Sequence, residues 1–271
     1  MDKLPRAFTT LACAALLQAF APGPPPLRQP IRGWVLDYGD TACTAMRTYG
    51  SAAAPVLLAF RPSPNGGVVR LVVSRPGKAP PAYHFPLTTN ISADSARATG
   101  LRFPSADRKN DIVWINFARP DLEALRGAGE IAIRGGGAID QRFALPGIAA
   151  VLDALDICNA DLRKYWNVGD AGVQLSAPAR SLRPLAAYFS SDDYPAQAIS
   201  EEATGTSRIV VMVDETGAVK DCLVEETSGI ASLDAMACIA LRQRARFKPA
   251  LDAAGKPVRS VLTGRVTWRM P

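Results

Sequence analysis

Histidine is almost missing from this chain of 271 residues: His84 is the single one, set in Tyr83-His84-Phe85. A Ser/His/Asp or Cys/His nucleophilic machine would have to use that imidazole, and its surroundings read as an ordinary strand position. No C-x-x-C is present, so zinc-type ligation has little to draw on. No apolar run reaches membrane-spanning length, no internal repeat is found, and the only low-complexity stretch is Pro22 to Pro26. With 48% hydrophobic and 21% charged residues, the chain is globular in class and long enough for two domains.

The other catalytic patterns also fail. The adjacent acids Asp192-Asp193, Glu201-Glu202 and Glu225-Glu226 cannot work as pairs on a strand, where neighbours point to opposite faces, and they lie beside loops. Gly135-Gly136-Gly137 lacks the helix start and Lys-Ser/Thr of a phosphate-cradling loop and reads as a hairpin tip. Arg242, Arg244, Arg246 and Lys248 are spaced by two, which scatters them around a helix whose C-terminus favours cations in any case. The expectation is a protein that is not an enzyme, with no cofactor, no metal and no nucleic-acid partner.

At the start, Lys3 and Arg6 precede a mostly apolar Ala7 to Ala21, and Ala19-Phe20-Ala21 has the small-x-small form of a signal-peptidase site. Residues 1–23 therefore read as a secretory signal, with membrane contact expected only if it stays uncleaved. Thr10-Leu11-Ala12 before Cys13 is a poor lipobox, so Cys13 reads as part of the apolar segment. The formal charge of +6 would attract acidic lipid, acidic protein segments or nucleic acid, and export argues against the last.

Residues 31–164 read as one β-rich domain ending in a helix. Short apolar or alternating runs, Trp34 to Tyr38, Val56 to Phe60, Val68 to Val73, Ala82 to Phe85, Ile112 to Phe117, Glu130 to Arg134 and Ile139 to Leu145, are divided by Pro, Gly and Asn turns. Asp121 to Arg126 reads as a short helix. Ile148, Val151, Leu152, Leu155 and Leu162 form a helical stripe from Gly147 to Lys164. Residues 165–193, interrupted by Gly169, Gly172, Pro178 and Pro184, read as a connector.

The last part, residues 194–271, carries the clearest organisation. Arg208 to Val213 and Ala218 to Glu225 are β-rich runs joined by Asp214-Glu215-Thr216-Gly217, a hairpin whose glycine supplies the positive φ. After Ser228-Gly229, Leu233, Met236, Ala237, Ala240 and Leu241 follow helical spacing, with Ser232 as the expected N-cap and Asp234 supporting the helix dipole. Asp252 to Lys256 then turns the chain. From Val258 to Arg269 the residues alternate, giving one long final strand with a mainly apolar face and a face carrying three arginines. The fold class is α+β: a β-rich domain ending in a helix, then a small domain of hairpin, helix and final antiparallel strand.

Cys43, Cys158, Cys222 and Cys238 make an even set in an exported chain, which favours disulfides. Three pairings are open. Cys222 lies on the second hairpin strand and Cys238 on the helix that should cross it. A bridge there would pin helix to sheet and contribute about 3 kcal/mol in the chain-entropy model. Cys43 and Cys158 would then close the N-terminal domain.

Tyr194-Pro195-Ala196, the hairpin VMVDETGAVKDCLV, the Ser228-Gly229 turn, the helix SLDAMACIALRQRARFKPA and the closing strand resemble the C-terminal, periplasmic domain of the TonB family. The resemblance implies binding of an outer-membrane TonB-dependent receptor, through a plug segment that lies beside the last strand. It puts contact on Arg259, Val261, Thr263, Arg265 and Thr267, with Tyr194 and Pro195 nearby, and implies support of TonB-dependent transport in the periplasm of a Gram-negative bacterium. An exposed edge strand is also compatible with a homodimer. Departures from the family are the short, histidine-free Ala7 to Ala21 and the missing Pro-Glu and Pro-Lys tract, so the expectation is an auxiliary binding protein rather than a full energy transducer. The N-terminal domain faintly resembles β modules of the invasion-associated type in periplasmic proteins. A second reading therefore makes that domain an envelope stress or interaction module, with the TonB-like part as its docking unit.

Overall fold

The computed structural model describes residues 23–91 and 94–270; the expected signal segment, Cys13 and the Ala19-Phe20-Ala21 site lie outside the described residues. The runs of apolar and β-branched residues form strands β1 (Leu27–Arg28), β2 (Val35–Tyr38), β3 (Cys43–Ser51), β4 (Ala54–Pro62), β5 (Val68–Pro76), β6 (Tyr83–Ile91), β7 (Asp94–Pro104) and β8 (Asn110–Ala118). Helix α1 (Arg119–Ala124) with a short 3-10 turn, the hairpin β9 (Glu130–Gly135) and β10 (Ile139–Ala144), and helix α2 (Ile148–Tyr165) complete this part. Gly136 and Gly137 take positive φ at the β9–β10 turn, as a hairpin tip requires.

Hydrogen bonding joins these strands into one ten-stranded sheet in the order β1-β10-β9-β6-β7-β8-β5-β4-β3-β2. The sheet curls back on itself. β1 pairs with β10, while Pro30, just after it, bridges Tyr49 on β3, and Ile31 N donates to Thr48 O at 3.0 Å. Tyr49 Oη, fully buried, donates to Ala144 O at 2.8 Å across the same closure. The α2 stripe, Val151, Leu152, Leu155 and Leu162, is buried in the core that the sheet encloses, and Cys43–Cys158 ties helix to β3 with a Cα separation of 6.1 Å.

Two long strands, β3 and β7, were not expected from sequence. β3 puts the small Cys43 and Ala45 inward where a strand signal asks for large β-branched residues. β7 carries Ala, Arg and a Gly with few β-branched residues, and its Gly100 sits close under Leu87 and Phe85, where a Cβ would stand 2.6 Å from the end of Leu87 and 2.7 Å from the end of Phe85.

The C-terminal part comprises β11 (Leu175–Ala177), β12 (Arg180–Ser181), α3 (Ala196–Ser200), β13 (Gly205–Val213), β14 (Val219–Glu226), α4 (Ala231–Arg244), β15 (Phe247–Lys248), β16 (Ala250–Asp252), β17 (Pro257–Val258) and β18 (Ser260–Trp268). The hairpin β13–β14 and the last strand form a three-stranded sheet in the order β14-β13-β18, and α4 crosses one face. Ile209, Val211 and Val213 meet Leu233, Ala237 and Leu241 there, and Cys222–Cys238 pins helix to strand with a Cα separation of 5.4 Å. The opposite face of β13 turns toward the N-terminal part, whose core cluster takes in Met212. Residues 165–193 run along the C-terminal elements: β11 pairs with β16, β12 pairs with β15, and Tyr188 is buried.

Two local expectations are corrected. The N-cap of α4 is Ile230, with no side-chain cap, and Ser232 lies inside the first turn. Asp234 instead ties the helix to the preceding turn, its carboxylate accepting from the Ser228 amide at 2.8 Å. The final strand is also interrupted at Arg259: β17 pairs with β16, and β18 pairs with β13. The architecture is α+β. Among the described residues no helix is long and apolar enough to cross a membrane.

Candidate functional site

Alternation along β18 sorts its side chains. Leu262, Val266 and Trp268 belong to the core under α4, while Thr263, Arg265 and Thr267 are exposed. On one side β18 is bonded along its whole length to β13, from Thr267 opposite Thr206 to Ser260 opposite Val213. Its other side has no strand partner among the described residues, which leaves alternate peptide groups unpaired, as at any sheet edge.

Beside that edge runs a groove of about 430 Å³, floored by Trp268 and Val266 and walled on the far side by Leu185, Phe189 and Tyr194. The aromatic side chains pack on one another. Phe189 and Tyr194 meet Trp268 edge-on at centroid distances of 5.3 and 5.5 Å. Tyr194 Oη donates to Ala203 O at 2.5 Å, and Pro195 caps α3. The indole Nε1 of Trp268 is buried without a hydrogen-bond acceptor among the described residues.

The far wall is clamped to α4. Arg244 donates to both oxygens of Asp193, at 2.7 and 2.5 Å, and to Tyr188 O at 3.1 Å. These bonds from Arg244, working against burial, pull the Asp193 carboxyl down to about 2. Ser190 N and Oγ close the local box onto the same carboxylate, so the turn facing β18 is held from both ends.

The electrostatics of the groove are positive. Arg265 and Arg269 both line it, and neither has an ion-pair partner among the described residues. Arg265 stands opposite Arg208 on β13, but Arg208 is held by Glu226 at 2.8 Å. Thr267 Oγ1 and Thr206 Oγ1 make a cross-strand contact of 3.0 Å.

Of the residues expected from sequence, Tyr194, Arg265 and Thr267 come together at this groove. Thr263 is exposed further along the same strand face, and Val261 is half-buried against the N-terminal core. Arg259 lies apart. Its Nε is 2.8 Å from Glu215 Oε1, its guanidinium is stacked on Tyr165 at 4.0 Å, and its carbonyl accepts from Asn167 at 2.8 Å. Sequence reasoning missed Leu185, Phe189, Trp268 and Arg269. The aromatic spacing of Tyr188, Phe189 and Tyr194 within an otherwise polar stretch was the available signal.

His84 is placed against α4, with Nε2 2.9 Å from Thr227 Oγ1 and 3.3 Å from Asp234 Oδ2. Burial pushes the Asp234 carboxyl up, but the hydrogen bonds from His84, Ser207, Thr227 and the Ser228 amide outweigh it and hold the group below the usual carboxylate range. One ring nitrogen faces both Thr227 and Asp234, so the group lacks the nucleophile–base–orienter sequence of a triad.

Residues 190–270 match the family described as Gram-negative bacterial TonB protein C-terminal. The carboxy-terminal part of the chain is thus similar to the C-terminal domain of TonB proteins. The match does not extend into residues 31–164, and the likeness of that region to invasion-associated modules finds no support. No curated protein and no solved structure matches the chain.

Proposed function

We propose that this is a periplasmic TonB-like protein that binds outer-membrane TonB-dependent receptors by strand addition at β18 and so supports TonB-dependent transport. The observation that carries the reading is the edge of β18, which has no strand partner among the described residues, beside a groove lined by packed aromatic side chains. An extended plug segment laid along that edge would gain main-chain hydrogen bonds with little demand on its sequence. Selection would then come from side chains: Arg265 and Arg269 favour an acidic or polar segment, with Tyr194, Pro195, Thr263 and Thr267 shaping the groove and its approach. Arg259 and Val261 support the start of the strand and extend the contact surface toward Glu215.

The test is charge reversal. An acidic receptor-plug peptide should lose about tenfold in affinity at low salt when Arg265 is changed to Glu, and the loss should shrink as salt rises. Unchanged affinity in Arg265→Glu and in the Arg265→Glu/Arg269→Glu double variant would remove charge selection from the account.

A second reading is favoured by the extent of the contact between the two parts. Arg61 pairs with Asp221 at 2.8 Å, and Ser63 donates to the buried Glu225 at 2.5 Å. In that reading the N-terminal domain is the acting module and the TonB-like domain docks it in the envelope. A receptor-binding defect caused by substitutions on the exposed face of the N-terminal sheet, with β18 intact, would favour it.

A further inference from the structure

A second cavity, of about 360 Å³, lies between the N-terminal sheet and the β14–α4 face of the C-terminal domain. We propose that this cleft binds a small organic carboxylate with an apolar or aromatic body. Its volume falls in the range of small-molecule sites, roughly 300–1,000 Å³.

Arg70 is the central observation. It is only 6% exposed, and its guanidinium lies over the Trp114 ring at 4.3 Å. Its polar partners are neutral: Nε donates to Asn116 Oδ1 at 3.2 Å and Nη2 to Val224 O at 2.7 Å. Among the described residues no carboxylate forms an ion pair with it. A buried cation without a counterion is strongly unfavourable. Burial and then Arg61 lower the group to about 10, with Asp221, Asp234 and Glu225 acting in the opposite direction, so it stays charged at neutral pH.

The carboxylates that border the cleft are already engaged. Asp221 holds Arg61 at 2.8 Å and the Cys222 amide at 2.8 Å. Asp234 accepts from Ser207 Oγ at 2.6 Å and from the Ser228 amide at 2.8 Å, and faces His84. Arg242 is exposed, lines the cavity and has no ion pair among the described residues. Arg70 and Arg242 therefore leave positive charge on a cavity whose lining includes the apolar side chains of Leu101, Phe103, Trp114 and Leu223 beside the paired Asp221 and Asp234. A guanidinium fork matches a carboxylate, and the wall matches an apolar body. Because β5, β8, β14 and α4 all border the cavity, the ligand touches both parts of the chain and holds them together.

The experiment titrates the full chain with phenylbutyrate, its neutral amide and inorganic phosphate, read by amide NMR and tryptophan fluorescence. Phenylbutyrate should saturate and shift resonances of Leu101, Trp114 and Leu223, with the amide and phosphate each binding at least about tenfold more weakly. Arg70→Gln should cost phenylbutyrate about tenfold or more, and the exposed Arg242→Gln about threefold with an unchanged Tm. If Arg70→Gln does not fold, the amide comparison on the unaltered chain and Arg242→Gln decide the matter. The proposal fails if phenylbutyrate leaves these resonances unmoved at millimolar concentration, if the amide binds as well as the acid, or if phosphate alone binds as tightly.

Discussion

Arg70 on β5 donates from Nη2 to the carbonyl of Val224 on β14 at 2.7 Å, and Asn116 on β8 reaches the adjoining carbonyl of Glu225 at 3.2 Å. The small C-terminal sheet thus lays one of its two edge strands against the N-terminal sheet and leaves the other, β18, beside the groove of Phe189 and Tyr194. An edge that already faces another body has little to offer an incoming strand. The proposed strand addition would therefore fall on β18 rather than on β14.

The Arg75–Asp111–Arg102 cluster should be the most sensitive polar site of the N-terminal sheet. Asp111 is 3% exposed and accepts from Arg75 at 2.6 Å and Arg102 at 2.8 Å. Burial raises its carboxyl, but hydrogen bonds from Arg102 and Arg75 outweigh that and hold it low. Asp111→Ala strands two guanidinium groups and is expected to cost about 3–5 kcal/mol in urea unfolding. A loss within the range of a surface substitution would contradict this.

Removal of the Cys222–Cys238 bridge by paired serine substitution should lower stability by about 3 kcal/mol through the loop it closes. Cys43–Cys158, spanning a sequence separation of 115, should matter somewhat more. Denaturation of each double-serine variant, with the intact mass compared with and without reductant, checks both.

Acid should weaken the groove wall. Asp193 falls from the ordinary 3.8 to about 2 in the folded chain. A carboxyl lowered in this way stabilises the fold above its unfolded value, and the contribution disappears as pH falls from about 4 toward 2. Asp193→Asn should therefore be less stable than the parent at neutral pH, with the gap closing over that acid window. A gap that stays constant with pH would exclude the Arg244–Asp193 bond as its source.

Gly217 has no room for a side chain. Its φ is +81°, and a Cβ there would stand 1.9 Å from the carbonyl oxygen of Phe247, whose amide donates back to Gly217 O at 2.9 Å. Gly217→Ala should destabilise by about 1–3 kcal/mol or more, read by thermal unfolding, through both backbone strain and separation of β15 from the hairpin.

Periodicity made the C-terminal domain legible: Leu233, Ala237 and Leu241 repeat at helical spacing, and Val266 alternates with Arg265 and Thr267. The same logic found the α2 stripe and favoured Cys222–Cys238, which a strand and a crossing helix bring together; Cys43–Cys158 followed only as the remaining pair. It did not find β3 or β7, where Ala45 and Gly100 face inward and carry no β signal. Arg259 illustrates the limit at the site. Sequence placed it with Arg265 on one strand face, but the strand breaks there, and Glu215 and Tyr165, distant in sequence, take up its charge. The groove itself needed the fold, since Phe189 meets Trp268 only after residues 185–194 have turned back along β18.

The most direct test of strand addition is to compare an acidic receptor-plug peptide with the same peptide methylated on alternate backbone nitrogens, following binding to the full chain by amide NMR. Methylation removes main-chain donors and leaves the side chains in place. The account predicts that the unmodified peptide shifts the β18 amides from Thr263 to Trp268 together with Tyr194, and that one methylation register abolishes binding while the other is tolerated. Equal binding of both methylated peptides and the parent, or shifts confined to the N-terminal sheet, would contradict it.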